Sequence, residues 1–205
     1  MLTASGREAM RAYGVTTVID LRSQSERNGT FDARFTRPIA QLVKADGVRY
    51  LHRELVDDAS LARLGEASDM FHRYLLMLDG RQDAFREIFT SIADADGPLL
   101  FHCFAGKDRT GLVAAMLLAL AEAEPAEIAS DFGETDVQLA AMYEKWIDDA
   151  PEDKRAVMRD ELHCPPERIM GVLAHLDSKW GGVASYLEAS GVEPDAIDRL
   201  RAKLA

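Results

Sequence analysis

The stretch from Pro98 to Gly111 reads Pro-Leu-Leu-Phe-His-Cys-Phe-Ala-Gly-Lys-Asp-Arg-Thr-Gly. Its first part, Leu99–His102, places apolar residues on both faces, which is typical of a central strand in a sheet covered by helices. From Thr110 to about Glu122 the residues are mostly Ala, Leu and Met, which favour helix. The stretch therefore predicts a buried strand, a tight loop and a helix, as found in α/β folds.

The loop contains Cys103 and Arg109 with five residues between them. A loop that curls into a helix N-terminus in this way directs successive backbone N–H groups inward, and the helix dipole adds to their positive field. Gly106 permits the tight turn, and the planar guanidinium of Arg109 can hold two phosphate oxygens at once. We therefore predict a phosphate site with Cys103 at its base. Its phosphate-binding residues are Phe104, Ala105, Gly106, Lys107, Asp108 and Arg109.

The same positive field favours the thiolate form of a cysteine, which is the nucleophilic form. Attack of the Cys103 sulfur on phosphorus gives a cysteinyl-phosphate intermediate, which water then hydrolyses. Because the loop and Arg109 neutralise the phosphoryl oxygens, we expect neither a metal nor another cofactor. His102 is expected to hold the loop, or else to be a packed strand residue. Thr110 either donates a hydrogen bond to the departing sulfur or acts as a local helix cap.

The sequence from His102 to Gly111 resembles the signature loop of cysteine-dependent phosphatases. Its Gly-Lys-Asp-Arg-Thr-Gly part is similar to that of bacterial tyrosine/serine protein phosphatases that also act on phosphoinositides. Three further stretches resemble that branch, namely Val18–Glu26, Asp131–Thr135 and Gly182–Leu187. The resemblance implies a single phosphatase domain over residues 1–205. The Asn-Phe-Arg-Asp-Leu-Gly segment usual in that family is absent, so we expect either a truncated N-terminus or a smaller sheet.

A general acid must protonate the departing oxygen. The Trp-Pro-Asp acid loop of many tyrosine phosphatases has no counterpart here. Similar proteins implicate the loop aspartate and the aspartate of Asp-Leu-Arg-Ser, which correspond to Asp108 and Asp20. The alternative for Asp20 is a buried ion pair with Arg22 that fixes its loop. Asp57 and Asp58 are weaker candidates, because they also suit the N-cap of a following helix.

Lys107 adds a second cation beside Arg109, which suits substrates that carry several phosphates; the alternative is a solvated lysine.

The predicted function is hydrolysis of phosphomonoesters, with phosphotyrosine first and phosphoserine, phosphothreonine and phosphoinositides as further substrates. The competing interpretation is a catalytically weak phosphate-binding module that recognises phosphorylated partners. A rhodanese-like sulfurtransferase also uses a loop cysteine, but it does not require Arg109 followed by Thr-Gly.

Composition limits the remaining classes of function. The 205 residues are 47% hydrophobic and 29% charged, with a net charge of −11, which excludes the basic surface of a nucleic-acid-binding protein. No apolar run approaches the length of a membrane span, so we expect no stable membrane insertion. The start of the chain lacks the pattern of a signal peptide, which predicts a cytoplasmic protein or one secreted by another route. No sequence feature indicates an oligomeric state.

The rest of the chain predicts a small, mostly parallel sheet flanked by helices, with a helical C-terminal half. If the strand Val15–Leu21 neighbours Leu99–His102, then Asp20 and Arg22 lie on the same rim as Cys103. The other expected elements are helix Thr3–Tyr13, an irregular segment Thr30–Gly47, strand Val48–Val56, helices Ala59–Gly65, Ser68–Leu78 and Arg81–Ala95, a short helix from Pro125, and helices Asp136–Asp148, Pro151–Leu162, Glu167–Trp180, Val183–Ala189 and Pro194–Leu204.

Two groups of side chains are expected to have structural rather than catalytic roles. The aromatic residues Phe71, Tyr74, Phe85 and Phe89 have helical spacing and are expected in the core. Cys164, the second cysteine of the chain, precedes two prolines and is expected to be structural, with a redox partnership to Cys103 as the alternative.

Overall fold

The computed structural model describes residues 3–30 and 47–204. Three strands form one parallel sheet in the order β2–β1–β3, where β1 is Thr17–Asp20, β2 is Arg49–His52 and β3 is Leu99–His102. In this sheet Asp20 is in register with His52 on one side and His102 on the other. The carboxyl ends of the described strands therefore meet at one edge, and the fold is α/β as predicted.

Helices surround this sheet. Those that precede β3 are α1 (Ala4–Ala12), α2 (Gln24–Asn28), α3 (Asp58–Leu64), α4 (Met70–Gly80) and α5 (Gln82–Ala93). Those that follow it are α6 (Asp108–Leu120), α7 (Pro125–Asp149), α8 (Glu152–Leu162), α9 (Pro166–Trp180), α10 (Val183–Ala189) and α11 (Pro194–Leu204). The C-terminal half is therefore helical, as predicted.

Helix ends coincide with recognisable caps in the sequence. The Thr3 hydroxyl accepts a hydrogen bond from the Gly6 N–H at 3.0 Å and begins α1, as expected. Pro125 and Pro166 occupy the first turns of α7 and α9, where a missing N–H costs nothing. Gly181 ends α9 in the left-handed conformation, with φ of 81°.

The strand Leu99–His102 was predicted to be central, and this is wrong. Among the described residues β1 is the central strand and is buried throughout, whereas β3 is an edge strand in which Leu100 is 38% exposed. Part of β3 lines a shallow apolar depression together with Met10 and Tyr13. Hydrophobic composition predicts burial from local sequence, but the order of strands depends on contacts with distant parts of the chain.

The second correction concerns α7, which runs without interruption from Pro125 to Asp149. The sequence predicts a short helix at Pro125 and a separate one over Asp136–Asp148, which is wrong. Gly133 lies within α7 and does not break it, because the helix packs against α6 and α9, and packing outweighs the low helix propensity of one glycine. Helix α6 also begins at Asp108 rather than Thr110.

Most of the irregular segment expected over Thr30–Gly47 lies outside the described residues. The expected strand Val48–Val56 is shorter in the structure, since β2 covers only Arg49–His52.

One continuous hydrophobic cluster joins the sheet to the helices. Tyr74, Phe85 and Phe89 are fully buried and Phe71 packs against the cluster, which confirms their predicted place in the core. Within the described parts of the chain, no helix is both long and apolar enough to cross a membrane.

Candidate active site

The loop that joins β3 to α6 lies at the carboxyl edge of the sheet. Cys103 follows β3 directly and is 6% exposed. Gly106 has φ of 79°, a conformation that side chains with a Cβ rarely adopt, so this turn requires glycine as the sequence predicted. Because α6 begins at Asp108, Arg109 lies in its first turn.

Arg109 is held by a buried carboxylate. Its two terminal nitrogens donate to the two oxygens of Glu26 at 2.5 and 2.7 Å, in a bidentate pair that fixes the guanidinium plane. Burial lowers the pKa of Arg109, but the hydrogen bonds to Glu26 and the charges of Cys103, Glu26 and Asp108 outweigh it and raise the pKa above its ordinary value. Arg109 is therefore a permanent, oriented cation whose charge interacts with Cys103.

Glu26 belongs to a capping box at the start of α2. Its Oε2 accepts the Ser23 N–H at 2.8 Å, while the Ser23 hydroxyl accepts the Glu26 N–H at 3.2 Å. Sequence reasoning missed the role of Glu26. A signal was present, since Ser-x-x-Glu is the capping-box pattern, but it indicates only the local bonds. The partner Arg109 is 83 residues away, and no local pattern identifies it.

Asp20 and Arg22 form the ion pair that was one of their two predicted roles. Arg22 donates to Asp20 through Nε at 2.9 Å and through a terminal nitrogen at 2.7 Å, and Asp20 is only 2% exposed. Burial raises the pKa of Asp20, but the hydrogen bonds and charge of Arg22 outweigh it and bring the pKa below its usual value. The pair lies beside His102, which confirms that Asp20 shares the rim with the loop.

Asp108 sits at the junction of the loop and α6. Its Oδ1 accepts hydrogen bonds from the Tyr74 hydroxyl at 2.5 Å and from the Lys107 ammonium at 2.7 Å, and its side chain remains 27% exposed. Burial and the charge of Asp108 raise the pKa of Tyr74 well above its ordinary value, so the phenol stays a hydrogen-bond donor. Sequence reasoning placed Tyr74 in the core, which is correct for its ring, but gave no sign that its hydroxyl contacts the loop.

Lys107 is buried, so the solvated-lysine alternative is wrong. Its ammonium donates to Asp108 and, at 2.7 Å, to the carbonyl oxygen of Glu161 near the end of α8. The Glu161 carboxylate in turn pairs with Arg73 at 2.8 Å. Two of the three ammonium N–H groups are therefore committed to protein acceptors, and α8 is attached directly to the loop.

The two supporting residues differ in their contacts. His102 Nδ1 lies 3.0 Å from the Cys103 carbonyl oxygen, a contact that suits its predicted role in holding the loop. The Thr110 hydroxyl is buried and has no hydrogen-bond partner within the described residues, so the expected bond to Cys103 is not made here.

The remaining candidate residues, Asp57, Asp58 and Cys164, make contacts with other parts of the structure. Asp57 accepts the Ser60 N–H at 2.7 Å as a cap of α3, and Asp58 accepts the Ser25 hydroxyl at 2.6 Å, so both serve structural roles. Cys164 is 1% exposed, and burial first of all raises its pKa to about 12. Such a thiol forms little thiolate, which favours the structural role over a redox partnership with Cys103.

The loop backbone retains donors for a ligand. Among the described residues, the backbone N–H groups of Ala105 to Arg109 donate to no acceptor. No group of three or more His, Cys, Asp and Glu side chains in residues 3–30 and 47–204 could hold a metal ion. The described site therefore offers a thiol, a fixed arginine and a run of backbone donors to one small anion.

Comparison with known proteins agrees with this geometry. The model of a family described as the tyrosine phosphatase family matches residues 1–205. A tyrosine-protein phosphatase of Nostoc commune is 33% identical over 221 aligned residues, which cover 99% of this chain and 70% of that protein. The triple specificity protein phosphatase PtpB of Mycobacterium tuberculosis is 29% identical, with 99% of this chain and 87% of that protein covered. The chain therefore belongs to the tyrosine phosphatase family and is a phosphatase enzyme.

Proposed function

We propose that this phosphatase hydrolyses phosphomonoesters through a cysteinyl-phosphate intermediate. In the first step the Cys103 thiolate forms a bond to phosphorus, the phosphorus–oxygen ester bond breaks, and the leaving oxygen takes a proton from a general acid. In the second step water attacks phosphorus, gives a proton back to that residue, and releases the Cys103 thiolate with inorganic phosphate. Arg109 and the backbone N–H groups of Phe104 to Arg109 stabilise the charge on the phosphoryl oxygens.

The observation that carries the proposal is the pairing of Arg109 with Glu26 beside Cys103. A buried arginine whose terminal nitrogens each donate to Glu26 has a fixed guanidinium plane, and its Nε–H and one N–H on each terminal nitrogen are not used by this pair, so they need no reorganisation to meet a phosphoryl group. Arg109 lies within electrostatic range of Cys103, which supports a role for both side chains at one phosphoryl group.

Asp108 is the better supported general acid. Both oxygens of Asp20 are engaged by Arg22, and its lowered pKa keeps it ionised at neutral pH, so it has no proton to give. Asp108 adjoins Arg109 and is partly exposed, and both of its described hydrogen bonds use Oδ1. In the proposed mechanism Oδ2 faces the leaving oxygen, and Tyr74 fixes the carboxyl group through Oδ1.

The buried Thr110 hydroxyl suits the second step. It has no partner in the described structure, and it lies one residue after Arg109 at the start of α6. In the proposal it donates a hydrogen bond to the Cys103 sulfur as negative charge returns to that atom.

Phosphotyrosine is the proposed first substrate class, and phosphoserine, phosphothreonine and phosphoinositides are further ones. A relative named a triple specificity protein phosphatase supports a range wider than phosphotyrosine alone. The argument from Lys107 for multiply phosphorylated substrates is weaker than the sequence indicated, because Asp108 and Glu161 already engage this ammonium.

The test is phosphate release from a phosphotyrosine peptide, with acid-quenched samples analysed for phosphate covalently bound to the enzyme. Cys103→Ser should abolish both turnover and the covalent intermediate. Cys164→Ser is the matched control, since it removes the other thiol, and it should retain turnover. Persistent hydrolysis by Cys103→Ser would overturn the mechanism.

The acid is tested by the pH–rate profile of Asp108→Asn. This variant should lose the basic limb and slow hydrolysis of phosphotyrosine, whose phenol has a pKa of about 10, more than that of p-nitrophenyl phosphate, which has a better leaving group. Equal slowing of both substrates with an unchanged profile would exclude Asp108 as the acid.

A further inference from the structure

The Tyr143 hydroxyl is a polar group for which the described fold supplies no partner. The residue is 7% exposed, and its hydroxyl is buried and has no hydrogen-bond partner within the described residues. Buried polar groups are nearly always paired, because an unpaired group keeps the full cost of its desolvation. This exception needs an explanation, and a ligand or water molecule that reaches the site during the reaction would provide one.

Packing holds the Tyr143 ring near the β3–α6 loop. Its centroid lies 5.9 Å from that of Trp146, and the Trp146 ring lies 6.3 Å from that of Phe104, the residue after Cys103. Helix α7, which carries Tyr143 and Trp146, packs against α6, the helix that begins at the loop. These contacts fix the ring in one place, so a mobile side chain does not explain the unpaired hydroxyl.

Two side chains of the proposed mechanism lie within electrostatic range of this hydroxyl. Burial is the largest cause that raises the pKa of Tyr143 above its ordinary value, and the charges of four neighbouring groups raise it further, in the order Cys164, Asp108, Asp136 and Cys103. The hydroxyl is therefore a neutral O–H group at neutral pH. Its interaction with Asp108, the proposed acid, is stronger than its interaction with the proposed nucleophile.

The phosphoryl group has other donors and does not need this hydroxyl. In the part of the chain that the structure describes, the backbone N–H groups of Ala105 to Arg109 have no acceptor, and the Arg109 guanidinium retains N–H groups that its pair with Glu26 does not use. The water of the second step differs, because Asp108 alone is assigned to it. A buried water is held by about two to four polar partners, so a second polar group is expected beside Asp108.

We propose that the Tyr143 hydroxyl, together with Asp108, binds the water molecule that hydrolyses the cysteinyl phosphate. Asp108 Oδ2 accepts no hydrogen bond from the described residues and takes one proton of this water, while Tyr143 supplies the second contact. The water oxygen forms a bond to phosphorus, and the sulfur–phosphorus bond breaks to give the Cys103 thiolate and inorganic phosphate. Tyr143 keeps its own proton. The inference rests on the proposed function, because it takes the intermediate to be formed on Cys103.

The contact acts after the leaving group has departed, and this gives it a kinetic signature. Formation of the intermediate releases the leaving group, so kcat/KM includes only the steps up to that point, whereas kcat also includes hydrolysis. A residue that orients only the water therefore lowers the rate constant for breakdown of the intermediate and leaves kcat/KM unchanged. A hydroxyl that bound the phosphoryl group, or that supported the loop, would change both.

The experiment is rapid acid quench of the reaction with p-nitrophenyl phosphate, which measures formation and breakdown of the covalent intermediate separately. Tyr143→Phe keeps the ring and removes only the hydroxyl. Its rate constant for breakdown should fall about tenfold, as expected for one lost hydrogen bond at a reacting atom, while kcat/KM stays within about twofold of the native value. The amount of covalent phosphate in the steady state should rise accordingly.

Tyr186→Phe is the matched control. The Tyr186 hydroxyl is also buried, but it donates to the Leu78 carbonyl oxygen at 2.7 Å, away from the loop. This variant should leave both rate constants unchanged and lower the melting temperature, because the Leu78 carbonyl loses its donor. Tyr143→Phe should not lower the melting temperature, since its hydroxyl has no partner to lose within the described residues.

The outcomes separate this inference from the proposed function. If the native enzyme forms covalent phosphate and Cys103→Ser does not, but Tyr143→Phe breaks down the intermediate at the native rate, the hydroxyl does not bind the water and the mechanism stands. A decrease in kcat/KM by the same factor as the breakdown rate constant would also overturn the inference, because the hydroxyl would then act before hydrolysis. If Cys103→Ser keeps full activity, the proposed function itself fails.

Discussion

Glu26 connects the helix-capping network of α2 to Arg109, the arginine of the proposed phosphate site. One carboxylate accepts hydrogen bonds from the Ser23 backbone and from both terminal nitrogens of Arg109. The geometry of the proposed phosphate site therefore depends on the segment after β1 as well as on the β3–α6 loop.

Glu26→Gln should lower kcat/KM for a phosphotyrosine peptide by about 100-fold, because Arg109 loses the charge that fixes its guanidinium. Breaking a buried ion pair on one side should also lower the free energy of unfolding by about 3 kcal/mol. Steady-state kinetics and urea unfolding measure the two effects. Glu54→Gln is the matched control, since Glu54 accepts the Gln24 N–H in the same region without contacting Arg109. Equal effects of the two substitutions would contradict this role.

Asp20 makes part of the stability dependent on pH. Its pKa is lowered in the folded state, so its contribution is fully present above the unfolded value of about 3.9 and is lost as pH falls through the lower folded value. Asp20→Asn should therefore unfold more readily than the native chain at pH 7, and the difference should shrink below about pH 4. Urea unfolding at several pH values measures this, and a difference that does not change with pH would be inconsistent with the ion pair.

Helix α3 begins at the cap residue Asp57, which is also one of the weaker candidates for the general acid. Asp57 accepts the Ser60 N–H and lies 2.8 Å from Arg81, in a pair in which the Arg81 side chain is 11% exposed and that of Asp57 is 41% exposed. Asp57→Ala should cost about 1 kcal/mol in free energy of unfolding, while Asp57→Asn, which can still cap, should cost less. Neither should change the basic limb of the pH–rate profile. Loss of that limb in Asp57→Asn would show that Asp57, and not Asp108, is the acid.

The strand–loop–helix unit could be predicted because its signals are local. Apolar residues, the glycine at positive φ and the helix formers all lie between Leu99 and Leu120. The edge position of β3 and the continuity of α7 through Gly133 could not be predicted, because both depend on packing between distant segments. The same applies to Tyr74 and Glu161, whose contacts with the loop have no counterpart in the local sequence pattern.

The whole molecule carries a net charge of −11, while the proposed phosphate site offers Arg109 and backbone N–H groups that have no described acceptor. Anionic substrates are therefore repelled at long range and attracted only at the loop. Added salt screens the long-range repulsion first, because the Debye length falls from about 30 Å at 0.01 M to about 8 Å at 0.15 M. We expect kcat/KM for a phosphotyrosine peptide to rise roughly twofold over this range of potassium chloride. A steady decrease over the range would mean that the local attraction dominates even at a distance.

The Lys107 ammonium donates to Asp108 within the loop and to the Glu161 carbonyl oxygen of α8, so it attaches α8 to the loop. Because the ammonium has a fixed number of N–H donors, its contacts at the loop and its hydrogen bond to α8 are thermodynamically linked, and this linkage is reciprocal. A phosphate ligand that draws this ammonium toward itself would loosen α8, and any partner that displaced α8 would change phosphate affinity by the same factor. The protease sensitivity of α8 would then report on occupancy of the loop, without any measurement of turnover.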